Sequence, residues 1–137
     1  MSLWLLKSEP DAYSWGDLVE QKRGVWDGVR NFEARNNLRA MKVGDRALFY
    51  HSVKEKRVVG VARIVREAYP DPTAKDGDWS VVEVEPEAPI AHPVTLDEIK
   101  SDKLLSEMAI VRKSRLSVSP VTKAQFDRVL ALGKKAR

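Results

Sequence analysis

Between residues 46 and 85 the chain carries three β-like runs in succession, with only turn chemistry between them. "RALFYHS" reads as a strand from Arg46 to about Ser52, the valine-rich "RVVGVARIVREA" as a strand over 58–67, and "WSVVEVEP" as a third over 79–85. A parallel crossover needs about a dozen residues or more, usually a helix. The first connection is too short, and the second, "YPDPTAKDGDW", is all turn residues. The three strands are therefore expected as antiparallel neighbours. Gly60, inside the longest run, marks a bulge or a point where another group comes close.

Shorter elements surround this block. "LWLLKSEP" reads as a buried first strand stopped by Pro10. Ser14 is an expected N-cap for "YSWGDLVEQK", with Asp17 three residues on. "GVWDGVRN" reads as a loop, and "NFEARNNLRAM" has Ala34, Leu38 and Met41 at helical spacing, with Asn31 or Asn37 capping or interrupting it. Thr95 with Glu98, and Thr122 with Gln125, are capping boxes for two further helices, the last ending at Gly133. "RLSVSP" reads as a late strand. No repeat or linker divides residues 1–137, so one α+β domain is expected. Its form is a small mixed β-barrel with short helices packed around it, which hides strand edges that a chain this short would otherwise expose.

Composition removes several functional classes. There are no cysteines, hence no disulfide, thiolate nucleophile or cysteine-bound zinc; a reducing, cytoplasmic setting is expected. No apolar run nears the roughly 20 residues of a membrane span, and the first residues lack the pattern of a signal peptide. The formal net charge of +4 suits a polyanionic partner without requiring one. His51 and His92 are the two histidines, with no metal-ligand spacing around either. His51 and Ser52 are adjacent on a strand and point to opposite faces, a poor base–nucleophile arrangement. Asp71, Asp76 and Asp78 share a loop but lack an EF-hand ligand sequence. No glycine-rich phosphate loop is present, so no metal or cofactor is expected.

The four tryptophans divide into two kinds. Trp4 and Trp15 read as core. Trp26 and Trp79 sit beside Asp and Gly in turns, where each either folds back over the core or offers a face on which a base can stack. Ser8, Glu9, Asn31, Tyr50, His51 and Ser52 supply donors and acceptors at the ends of the expected strands, enough to orient a planar ligand. Arg30 and Arg35 lie where they can meet phosphates.

"WLLKSEPDAYSW", "GVWDGVRNFEARNNL", "MKVGDRALFYHS" and "RLSVSPVT" resemble, in order and over nearly the whole chain, the motif blocks of the EVE domain family. That resemblance implies a PUA-like fold, related to the YTH and ASCH domains, and a pocket for a modified base in DNA or RNA. Gly24-Val25-Trp26 resembles the segment that gives YTH domains one wall of an aromatic cage, and Trp79 is the matching candidate for a second wall. Lys7-Ser8 matches the preceding strand end. Glu9-Pro10 departs from the YTH asparagine, and a carboxylate there accepts from an exocyclic amino group such as that of cytosine.

The expectation is a non-catalytic, monomeric module that reads a methylated or hydroxymethylated base. Ser8, Glu9, Trp26, Asn31, Tyr50, His51, Ser52 and Trp79 are expected to form the base pocket. Lys7, Arg30, Arg35 and Arg115 are expected to contact the backbone. The alternative is an enzyme or sensor using the same pocket for a nucleoside or another small planar ligand, with Lys7, Glu9 and His51 as its titratable groups.

Overall fold

The computed structural model describes residues 1–136. Strand β1 (Leu3–Ser8) leads into helix α1 (Trp15–Gln21), strand β2 (Gly24–Trp26) and helix α2 (Phe32–Ala40). Strands β3 (Arg46–His51), β4 (Arg57–Pro70) and β5 (Ser80–Thr95) follow. Helix α3 (Leu96–Ser101), a 3-10 turn at Leu105–Glu107, helix α4 (Ala109–Arg112), strand β6 (Val118–Val121) and helix α5 (Lys123–Gly133) complete the order.

The capping residues act as their spacing predicts. Ser14 accepts from the Asp17 amide at 3.0 Å while Asp17 accepts from the Ser14 amide at 2.9 Å. The Thr95–Glu98 and Thr122–Gln125 pairs close in the same reciprocal way. Asn31, not Asn37, caps α2 through a 2.9 Å bond from the Ala34 amide.

The six strands form one sheet in the order β2-β5-β4-β3-β1-β6. The β3–β4 and β4–β5 pairs are antiparallel, as the short connections require, and β1 runs parallel to β3. The sheet curls into a barrel-like form and stays open, since β2 and β6 are its two end strands. Four register shifts along β4–β5 add local twist to these long strands. Gly60 lies at one of them, and a Cβ there would sit 2.6 Å from the Trp15 ring, so both readings of this glycine hold.

Every strand contributes to a core on the sheet's inner face, including Leu6, Phe49, Ala62, Val82, Trp26 and Val118, closed by Leu18 of α1 and Leu38 of α2. The outer face carries Leu5, Leu48, Tyr50 and Val61 and is covered by Ile99, Leu105, Ile110 and Phe126. Alternation along β1 thus sends Leu6 to one core and Leu5 to the other.

Helix α2 fills part of the gap between the sheet's ends. Its Asn37 amide donates to the Val118 carbonyl on β6 at 2.7 Å, and its Arg39 Nε donates to Ser80 Oγ at the start of β5 at 2.9 Å. Side chains from one helix therefore satisfy a backbone carbonyl on the end strand β6 and a hydroxyl at the start of β5, the strand next to the other end.

Two local expectations change. Residues 24–26 are a strand paired with Val82–Val84, not a loop. Strand β5 continues through Pro86, Pro89 and Pro93 to Thr95. Pro86 and Pro89 pair with β4 beside register shifts, where a missing backbone N–H is tolerated.

Candidate base-binding cleft

A cleft of about 640 Å³ opens where the curled sheet's two ends approach each other. The end of β1 (Lys7, Ser8 and Glu9) and Ser117, just before β6, form one side. Val25, Trp26 and the segment from Asp27 to Arg30 form the other, with Tyr13, Gln21 and Arg23 between them.

The chain's turn after β1 builds the first wall. The Glu9 carbonyl accepts from the Ala12 and Tyr13 amides at 3.0 and 2.9 Å, folding the chain back. Ser8 Oγ then donates to the Tyr13 carbonyl at 2.7 Å, and the Tyr13 hydroxyl donates to Gln21 Oε1 at 2.8 Å. Burial, with the Asp17 and Asp27 carboxylates adding to it, pushes the Tyr13 phenol above its usual range, so it stays neutral and remains a donor. Gly24 lies beneath it, and a Cβ there would meet the Tyr13 hydroxyl, so a larger residue would displace the end of that side chain.

Trp26 is both core and wall. It is only 7% exposed, with its ring edge-to-face against Phe49 (5.4 Å, 89°) and Tyr13 (6.0 Å, 83°). What it presents to the cleft is a strip of indole rather than an open face.

The second wall is anchored from a distant loop. Gly28, at φ +76°, donates its amide to Asp71 Oδ2 at 3.0 Å, and Arg30 Nη1 donates to the same oxygen at 2.9 Å. Thr73 adds an amide and a hydroxyl bond to Oδ1, each 2.7 Å. Burial alone would raise this carboxyl, but the bonds from Thr73, Arg30 and Gly28 outweigh it and hold its pKa at about 2.

Cations and carboxylates share the cleft. Arg23 is paired with Glu83 at 2.7 Å, and the Lys7 ammonium, bound to the Ser114 carbonyl, is lowered from its usual pKa by burial. The carboxylates of Glu9 and Asp27 are exposed and carry no hydrogen bond or ion pair among the described residues. This leaves two acceptors available to a ligand beside an aromatic edge and three cationic side chains.

Of the residues expected from sequence, Lys7, Ser8, Glu9, Trp26 and Arg30 meet in the cleft. The others lie elsewhere. Tyr50 is buried in the outer-face core, where burial and then Asp97 push its phenol up to about 12. His51 Nε2 accepts from the Trp15 amide at 3.0 Å and its Nδ1 faces Glu55 at 3.2 Å, so both ring nitrogens are engaged away from the cleft. The Ser52 amide donates to the Ser8 carbonyl at 2.9 Å, behind the wall. Asn31 spends its oxygen on the α2 cap. Arg115 is exposed in the segment leading to Ser117, outside the cleft lining.

Trp79 does not face Trp26. It stacks on Phe32 (5.1 Å, 17°) with Arg30 and Arg35 against it. Tyr13, Gln21, Arg23, Asp27 and Ser117 also line the cleft, and no local sequence pattern singles them out.

An open, curled mixed sheet with a cleft between its ends and helices on its outer face defines a PUA-like α+β protein. The chain belongs to the EVE domain family, whose model matches residues 2–132. Thymocyte nuclear protein 1 of Gallus gallus is 39% identical, covering 94% of this chain and 67% of that protein. The crystal structure of human THYN1 in complex with 5-methylcytosine-containing DNA superposes with a TM-score of 0.92 at 37% identity, over 100% of both chains. A mutant ASCH protein from Zymomonas mobilis shares the fold alone, at TM-score 0.61 and 12% identity over 96% of this chain and 99% of that one.

Proposed function

We propose that this chain binds DNA carrying 5-methylcytosine and seats the modified base in the cleft between the ends of its sheet. The observation that carries this reading is the presence of unengaged acceptors, Glu9 and Asp27, in one cleft with the Tyr13–Trp26 aromatic edge and the cations Lys7, Arg23 and Arg30. A cleft of about 640 Å³ is within the range that encloses small ligands. The relation to a protein crystallised with 5-methylcytosine DNA supports the choice of base.

The chemistry divides between the groups. A carboxylate accepts from the N4 amino group of cytosine, a contact worth roughly 1–3 kcal/mol against a base that presents an acceptor there. The C5 methyl is apolar and gains about 0.8 kcal/mol when it leaves water for the surface formed by Trp26 and Val29. Phosphates that meet Lys7, Arg23 or Arg30 release counterions, so binding weakens as salt rises. Flipping a base out of a duplex costs a few kcal/mol, and single strands bind more tightly for that reason.

Titration of otherwise identical single strands with cytosine, 5-methylcytosine or thymine at one position tests this. The expected order places 5-methylcytosine about fourfold above cytosine, because one methyl is buried, and thymine last. Thymine has the same methyl without the amino group, so a thymine strand that binds as well as the methylcytosine strand removes the carboxylate contact. An RNA strand with the same base decides whether the sugar matters.

A further inference from the structure

Phe32, the first residue of α2, is 66% exposed, while Trp79, half-buried, lies flat against it at 5.1 Å and 17°. An exposed ring stacked in this way contributes little to either core, and neither residue belongs to them. The guanidinium of Arg35 lies 5.0 Å from the Phe32 ring centre and 5.8 Å from that of Trp79. Arg39 and Arg30 are each paired with a carboxylate, Asp78 and Asp71 respectively. Among the described residues Arg35 bonds only to neutral oxygens, the Asp78 carbonyl and Asn36 Oδ1, and no carboxylate pairs with it. Arg30 joins this patch to the cleft, since it lines the cleft and also lies 5.7 Å from the Trp79 ring.

We infer that Phe32 and Trp79, backed by Arg35, form a stacking shelf for the nucleotide next to the base held in the cleft, on the same DNA strand. This inference rests on the base-in-cleft reading for its geometry. A pre-stacked aromatic pair offers a flat surface that any base can extend, and the Arg35 guanidinium beside it meets the phosphate between the two nucleotides. The shelf is indifferent to base identity, because every base has a π-face, whereas the cleft discriminates through its carboxylates. Affinity and selectivity therefore reside in different side chains.

The test is fluorescence-anisotropy titration of labelled single strands, methylated or unmethylated at one cytosine, against the wild type, Phe32→Ala and Phe32→Tyr, with thermal unfolding of each as a fold control. Loss of one stacked base is expected to weaken Phe32→Ala about tenfold for both strands alike, leaving the methylated-to-unmethylated ratio at its wild-type value. Phe32→Tyr is expected to bind as the wild type. Unchanged affinity in Phe32→Ala overturns the shelf. So does loss of the ratio in that variant, which would make Phe32 a support of the cleft. If the wild type shows no preference for the methylated strand, the cleft's selectivity fails, and a tenfold loss in Phe32→Ala still sustains Phe32 and Trp79 as a stacking surface for a base. If the wild type binds neither strand, both fall.

Discussion

Arg30 donates to Asp71 across 2.9 Å, joining the loop after β2 to the connection between β4 and β5 although the two residues are 41 positions apart. The Asp71 carboxylate also holds the Gly28 amide and both donors of Thr73, which fixes the backbone of the cleft's second wall. Its pKa of about 2 in the folded protein lies below the ordinary 3.8, so the ionised form stabilises the fold. That stabilisation, about 2 kcal/mol, is fully present above pH ~4 and is lost as pH falls from about 4 toward 2. Acid titration of the melting temperature is expected to show this loss in the wild type and a shallower slope in Asp71→Asn.

Trp26 is so deeply buried that Trp26→Ala tests the core before it tests the cleft. Truncation is expected to cost about 3–5 kcal/mol, visible as a lowered denaturant midpoint. Tyr13→Ala is the better probe of the wall, since this ring is only half-buried and ends in a hydrogen bond to Gln21. In titrations with methylated and unmethylated strands, Tyr13→Ala is expected to weaken binding of both while remaining folded by circular dichroism.

Gly60→Ala is expected to destabilise the protein by about 1–3 kcal/mol, because its Cβ meets the Trp15 ring at 2.6 Å and neither the bulged strand nor the capped helix can move freely. Thermal unfolding measures this, and an unchanged melting temperature would show that Trp15 swings aside at no cost.

Arg115 is exposed and makes no hydrogen bond or ion pair among the described residues, so its removal leaves the fold intact. If it meets a phosphate, Arg115→Ala reduces the slope of log affinity against log salt by about 0.7 on single strands. Methylation preference should be unaffected. An identical slope in wild type and variant takes Arg115 out of the interface.

Features that depend on neighbours three residues apart are legible in the sequence: three helix caps with their partners, and, from the short connections, the antiparallel order of β3, β4 and β5. The first cleft wall, Lys7-Ser8-Glu9, and Trp26 are legible through motif resemblance. Sequence groups Tyr50, His51 and Ser52 with them because all lie at the ends of expected strands, and in the structure the register does align Ser8 with His51. The cleft, however, opens on the β6 side of β1, between the sheet's ends, and β3 lies on the other side. Only the curl of the whole sheet decides that. Sequence pairs Trp79 with Trp26 because both stand beside Asp and Gly and Trp79 resembles a second wall of the YTH cage. Its true neighbour is Phe32, across about 47 residues of sequence, a separation that no local pattern encodes.

Amide and indole chemical-shift maps of the 15.5 kDa protein, bound to a strand with cytosine and to the same strand with 5-methylcytosine, address the seating of the base itself. The difference between the two maps isolates the methyl group and is expected to concentrate at Ser8, the Trp26 indole, Gly28 and Val29. A difference map that is silent there, or that lies instead over α5 and the outer-face core, would contradict the placement of the methylated base in this cleft.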